Sequence, residues 1–199
     1  MNIHSYPSVY AIGHKAISNL FVGPVVVEEK VDGYQFSMAL LDGVLVCRSK
    51  GAQLVVAAPE KMFQCAVDVA RSLRLTPGWV YRCEFLGKPK HNTLAYARIP
   101  ERHLIVFDVC SGVEEYLGPE LKAIESKRLG LECVPMLYQG EVSDYKSLIG
   151  FLDRDSILGG TKIEGVVVKN YSQFTIDKKV AVGKYVSEAF KEKNSVDWK

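Results

Sequence analysis

The stretch Val25-Val26-Val27-Glu28-Glu29-Lys30-Val31-Asp32-Gly33 decides how this chain is read. Three β-branched residues running into charges and a glycine predict a buried strand over residues 25–30 that opens into a pocket. Alternation puts Glu28 and Lys30 on one face and Val27 and Glu29 on the other. A lysine at the end of a buried strand is costly unless chemistry uses it. Its useful form is the neutral amine, a nucleophile whose pKa is lowered by burial or neighbouring cations. Gly33 then allows a sharp turn or a close approach. A surface hairpin with an incidental Lys-x-Asp-Gly competes on these residues alone, so the decision lies downstream.

Moving outward, residues 34–41 and 44–48 form a predicted hairpin about Asp42-Gly43, delivering Arg48 to a basic tip. Pro59-Glu60 opens a predicted amphipathic helix to about Leu75. Met62, Ala66, Val69, Ala70 and Leu73 make its apolar stripe, which places Met62 and Cys65 in the core. Strands over 79–86, carrying Glu84, and 104–109, carrying Phe107 and Asp108, flank the polar segment Gly87 to Pro100. A loop of that length without regular structure is often functional, and it holds Lys88, Lys90, His91 and Arg98. Asp108 alternates away from Phe107 and is expected in a structural ion pair. Helices are predicted from Gly118-Pro119-Glu120 to about Leu129 and from Ser143-Asp144 through Leu152. The next strand, 163–170, bears Glu164 and Lys169, which an odd spacing sends to opposite faces unless Gly165 carries a bulge. The tail from Val180 holds Lys184 and a short helix around Glu188 to Lys193.

Composition narrows the class. The 199 residues are 48% hydrophobic and 24% charged, which suits one soluble globular domain over residues 1–199. A net charge of +2 excludes a binder driven by bulk basicity while leaving room for a basic groove. Cys47, Cys65, Cys83, Cys110 and Cys133 are widely spaced with no Cys-x-x-Cys pair, which argues against a zinc site or disulfide framework and fits a reducing compartment. The N-terminal residues carry no secretion signal, and no apolar run approaches the roughly 20 residues of a membrane span. A soluble cytoplasmic protein with no membrane partner is expected.

The ordered series is Lys30-Val31-Asp32-Gly33, Arg48, Glu84, Phe107-Asp108-Val109, Glu164-Gly165-Val166-Val167-Val168-Lys169 and Lys184. It resembles the covalent nucleotidyltransferase superfamily of ATP-dependent DNA and RNA ligases and messenger-RNA capping enzymes. The likeness runs from about residue 25 to residue 192. Within the superfamily, Glu84-Phe85-Leu86-Gly87 followed by His91-Asn92-Thr93-Leu94 looks most like the RNA ligase branch. Gly183-Lys184-Tyr185-Val186 with Phe190 and Glu192 points the same way.

The resemblance implies an α+β nucleotidyltransferase (ATP-grasp-like) fold, two antiparallel sheets with flanking helices. With few residues after Lys184, no appended OB-fold domain is expected. It implies ATP-dependent polynucleotide ligation: AMP joined to Lys30, passed to a 5′-phosphate, then released as a 3′-hydroxyl attacks. Lys184 and Lys169 would neutralise the α-phosphate, and Glu164 would contact Mg²⁺ or Mn²⁺. Glu28 would meet the adenine edge, Phe107 its face, Glu84 a ribose hydroxyl and Arg48 ribose or phosphate.

Two departures stand out. Gln35 occupies a position where DNA ligases usually carry arginine, which tilts the reading towards RNA. Val182-Gly183-Lys184 supplies one lysine where relatives often show two, leaving Lys178 or Lys179 to lend the other charge. The rival readings are a DNA ligase, a capping-type guanylyltransferase, and a non-catalytic module that binds strand ends or nicks.

Overall fold

The computed structural model describes residues 2–191. In chain order the strands are β1 (Tyr10–Ala11), β2 (Val25–Lys30), β3 (Tyr34–Leu41), β4 (Val44–Ser49), β5 (Gln53–Leu54), β6 (Val80–Phe85), β7 (Leu104–Gly112), β8 (Glu115–Tyr116), β9 (Glu132–Cys133), β10 (Met136–Gly140), β11 (Gly165–Phe174) and β12 (Val180–Val186). The α-helices are α1 (Gln64–Ser72) and α2 (Pro119–Arg128). This is the α+β pattern of two sheets with few helices. The chain divides into two compact units, each built on one sheet and each drawn from separate stretches of sequence.

One unit holds residues up to Tyr6, Gly33–Pro89 and Ile99–Cys133, around a sheet ordered β5-β4-β3-β6-β7-β8 with β9 paired to β7. The β3–β4 hairpin turns at Asp42-Gly43, whose positive φ angles of 48° and 78° are those of the favoured two-residue turn. Phe36, Met38, Tyr81, Cys83, Phe85, Val106 and Val109 fill one face of the sheet with α1 against them. Helix α1 begins at Gln64 after a short 3₁₀ turn over Lys61–Phe63, later than Pro59 suggests and ending before Leu75. The shift rotates the buried stripe to Ala66, Val67 and Ala70. Met62 is left 46% exposed, and Phe63 takes the core position expected of it. Cys65 is partly buried against the core, as expected.

The other unit holds Pro7–Asp32, Lys90–Arg98 and residues from Val134 onward, around a sheet ordered β1-β12-β11-β2-β10. Its pairings are antiparallel except for the short parallel β1–β12 contact. Val25, Val27, Val166, Val168 and Ala181 pack one face with Ile17, Leu20 and Leu148. Full burial of each valine is worth about 1.5–3 kcal/mol, so this face sets the register of β2 against β11. Asp144 accepts from the backbone N of Lys146 at 2.9 Å and caps a 3₁₀ turn over Tyr145–Phe151, where the sequence suggests a helix. Among the described residues, no helix is long and apolar enough to cross a membrane. All five cysteines are free thiols, and burial pushes Cys47 up to about 12 and Cys110 up to about 11.

Candidate functional site

In the five-stranded sheet, apolar residues claim one face and charge collects on the other. Cross-strand partners place Lys30 opposite Gly165, Glu28 opposite Val167, and Val167 opposite Lys184. Lys169 lies opposite Val26 on one side and Val182 on the other. Glu28, Lys30, Lys169 and Lys184 therefore share a face, the one facing away from the valine cluster. Lys30 Nζ donates to Glu164 Oε2 at 2.7 Å, with the lysine side chain 24% exposed and the glutamate 5%. Glu164 precedes the first residue of β11, so strand alternation does not govern it, and it reaches Lys30 without any bulge at Gly165. Burial holds its carboxyl above the usual carboxylate range, with the Lys30 ammonium opposing and Asp32 reinforcing the rise.

Lys169 Nζ donates to Glu28 Oε2 at 2.6 Å, both side chains 1% exposed. The cation beside Val182 is thus Lys169 on the neighbouring strand. Lys178 and Lys179 lie in the turn between β11 and β12, where Thr175 and Lys179 close the loop. Glu29 points to the opposite face, accepting from Ser156 Oγ at 2.5 Å and from the backbone N of Ile157 at 3.0 Å. Burial raises its carboxyl as well.

Beyond Lys30 the chain is clamped. The backbone N of Asp32 donates to the Tyr96 hydroxyl at 2.7 Å. Its carboxylate accepts from Asn92 Nδ2 at 2.7 Å and from the backbone N of Thr93 and of Leu94, each at 2.8 Å. Residues 97–98 then bond to Gly159 and Leu158, Ala97 N to Gly159 O at 2.9 Å and Arg98 N to Leu158 O at 3.2 Å. The irregular segment is therefore ordered by hydrogen bonds from residue 92 to residue 98, and Thr93, Leu94 and Tyr96 are buried in it.

The seven-stranded sheet shows the same division. Gln35 pairs with Glu84, and Ser37 pairs with both Arg48 and Arg82, so all five share the face opposite Phe36, Cys83 and Phe85. The register of β6 against β7 shifts between Arg82, which faces Asp108, and Cys83, which faces Val106, so Phe107 is the extra residue of a bulge. That bulge overturns the expected alternation of Phe107 and Asp108, because both meet Tyr6. The Tyr6 ring stands edge-on to Phe107 with centroids 5.1 Å apart, and its hydroxyl donates to Asp108 Oδ2. Arg82 lies over the Tyr6 ring at 5.9 Å and donates to Ser37 Oγ at 3.1 Å. From α2, the buried Lys122 donates to the Phe107 carbonyl at 2.9 Å.

Each of the nine candidate residues from the sequence thus lies on, or reaches, the polar side of its own sheet. Lys30, Glu164, Glu28, Lys169 and Lys184 are grouped in one unit; Gln35, Arg48, Glu84 and Phe107 in the other. Glu192 and Lys193 lie outside the described residues. The clamp on Asp32 is the feature that sequence reasoning missed. Its one legible signal is an amide residue, Asn92, beside Thr93 in a loop otherwise rich in cations. Among the described residues no three of His, Cys, Asp and Glu gather to hold a metal ion. A magnesium-like ion does not need such a cage, since one or two carboxylates and substrate phosphates suffice. The buried Glu164 carboxyl, already facing a cation, is a fitting donor of that kind.

The protein-family model described as RNA ligase matches residues 23–186. No curated protein matches the chain. Among solved structures, RNA ligase of Naegleria gruberi with pyrophosphate aligns at a TM-score of 0.71 and 18% identity, covering 97% of this chain and 58% of that one. A variant of the same ligase with ATP and manganese aligns at 0.70 and 17%, covering 96% and 58%. Another with AMP and manganese gives the same figures. The chain thus spans under two thirds of the length of the structures it matches.

Proposed function

This chain belongs to the RNA ligase family, and from that premise we propose that it is an ATP-dependent RNA ligase acting through a lysyl-AMP intermediate. The observation that carries the reading is Lys30 Nζ, partly exposed and 2.7 Å from the buried carboxylate of Glu164, on a sheet face shared with Lys184.

In the first step Lys30 Nζ attacks the α-phosphorus of ATP. Nζ first loses a proton to water to become the neutral amine; a phosphorus–nitrogen bond then forms, the bond to pyrophosphate breaks, and a second N–H proton passes to water. Lys184 places positive charge where negative charge grows on the phosphate oxygens. Glu164 would hold Mg²⁺ or Mn²⁺, which when bound neutralises the phosphates. The ligands of the structural relatives support this choice, since those proteins were seen with ATP or AMP and manganese. On the polar sheet face of the other unit, Gln35, Arg48, Glu84 and Phe107 offer nucleoside contacts of their own, Phe107 by stacking and Glu84 through a ribose hydroxyl. The Glu28–Lys169 pair supports the strands that carry Lys30. In the second step a 5′-phosphate oxygen displaces Lys30 from the AMP phosphorus. In the third a 3′-hydroxyl oxygen attacks the 5′-phosphate and AMP leaves.

The test is incubation with labelled ATP or GTP and Mn²⁺, followed by a denaturing gel and peptide mapping. The reading requires an adduct with ATP, absent in Lys30→Ala and after chelation, with AMP on Lys30. Label from GTP alone would make the chain a guanylyltransferase, and AMP mapped to another residue would remove Lys30 as nucleophile. Sealing of matched RNA, DNA and hybrid ends then ranks the substrates.

A further inference from the structure

We infer that Asp32 is a positioning residue, holding the polar segment 92–96 against the end of the strand that carries Lys30. Its effect on activity rests on the ligase reading above; its geometry does not. The residue is 4% exposed and makes four hydrogen bonds to one short segment, from Asn92, Thr93 and Leu94 to its carboxylate and from its own N to Tyr96. An acid two residues past a nucleophile invites a metal-ligand role. Here both carboxylate oxygens are engaged by protein N–H donors, two of them main-chain. Charge-assisted bonds of this kind are short and strong, and burial keeps water from replacing them.

The segment has no helix or sheet ladder of its own between residues 90 and 98. The carboxylate supplies acceptors to the backbone N–H groups of Thr93 and Leu94. The same segment carries the exposed Lys90 and Arg98, so the clamp determines where those cations stand when a polynucleotide phosphate arrives. Segment and nucleophile are thereby tied at one residue.

Geometry and charge can be separated by substitution. In Asp32→Asn the remaining oxygen can still accept from Thr93 and Leu94. Asn92 can turn its amide to accept from the new side-chain N–H. Asp32→Ala removes every acceptor. The experiment measures hydrogen exchange of the peptide spanning residues 90–98, together with sealing of a 5′-phosphorylated RNA by enzyme already carrying AMP. Asp32→Asn is expected to keep exchange protection and to seal within about threefold of the parent, whereas Asp32→Ala loses protection and at least about tenfold in sealing. Equal impairment of both variants would show that the charge is required and overturn the inference, as would unchanged protection in Asp32→Ala. Should Asp32→Ala not fold, Asp32→Asn decides alone, retention supporting the inference and loss refuting it. A parent protein that forms no adduct with ATP would remove the ligase reading, while the exchange measurement still judges the clamp.

Discussion

Lys169 and Glu28 form an ion pair 2.6 Å long with both side chains 1% exposed, on the sheet face that also bears Lys30 and Lys184. Removing one member of such a pair leaves the other's charge buried, which typically costs about 3–5 kcal/mol, whereas replacing both by neutral groups is nearly free. Lys169→Met should therefore destabilise the protein by about 3 kcal/mol, and Glu28→Gln/Lys169→Met should recover most of that loss. Urea unfolding of the single and double variants checks it. An additive double variant would show that the pair contributes nothing as a pair.

Gly165 stands between Lys30 and Val186 in the sheet, and a Cβ there would lie 2.2 Å from the Tyr185 carbonyl oxygen and 2.8 Å from Val186 Cα. Those are backbone atoms and cannot yield without moving β12. At Gly183 an added Cβ would meet side-chain ends, Leu20 Cδ2 at 2.7 Å and Ile17 Cδ1 at 3.0 Å. Gly165→Ala is expected to cost about 3 kcal/mol and to abolish the ATP adduct, and Gly183→Ala about 1 kcal/mol with the adduct retained. Melting curves and labelling of the two variants side by side settle the order.

The Glu164 carboxyl is held above its ordinary value of 4.5 by burial, against the pull of Lys30. A raised folded-state pKa means that folding favours the protonated acid. That contribution is complete below 4.5 and is lost as pH rises through the folded value. Glu164→Gln, which cannot ionise, should therefore gain stability relative to the parent as pH climbs from 4.5 into the neutral range. Unfolding free energies at pH values on both sides of the window check it, and a difference independent of pH would mean that Lys30 fully offsets burial.

The exposed Lys88 and Lys90 flank the start of the clamped segment and are predicted to engage phosphates. Lys88→Ala/Lys90→Ala should form the ATP adduct normally yet seal poorly when already adenylated. For each phosphate of a single strand that the variant no longer neutralises, the slope of log affinity on log salt should become shallower by about 0.7. Equal loss in both reactions would place these lysines with ATP, and no loss would leave them as solvating charges.

Much of this was open to reading from residue order alone. Strands β2, β3, β4 and β11 follow from β-branched runs and the Asp42-Gly43 turn, because alternation and turn chemistry are local. The motif series from Lys30 to Lys184 carries seven of the nine candidate positions, with Glu28 and Gln35 beside its first motif, since each role calls for a particular side-chain type. Three things required the tertiary structure. Glu28 and Lys169, far apart in sequence, satisfy each other because the register of β2 on β11 brings them to one face. Phe107 and Asp108 both reach Tyr6 because a bulge interrupts β7, and a bulge leaves no mark in the residue pattern. Asp32 acts on residues 92–96 across a long separation, for the buried carboxylate and the loop amides need one another and nothing in either stretch alone says where its partner lies. Local sequence sets which face each side chain takes, while long-range hydrogen bonding and burial choose its partner.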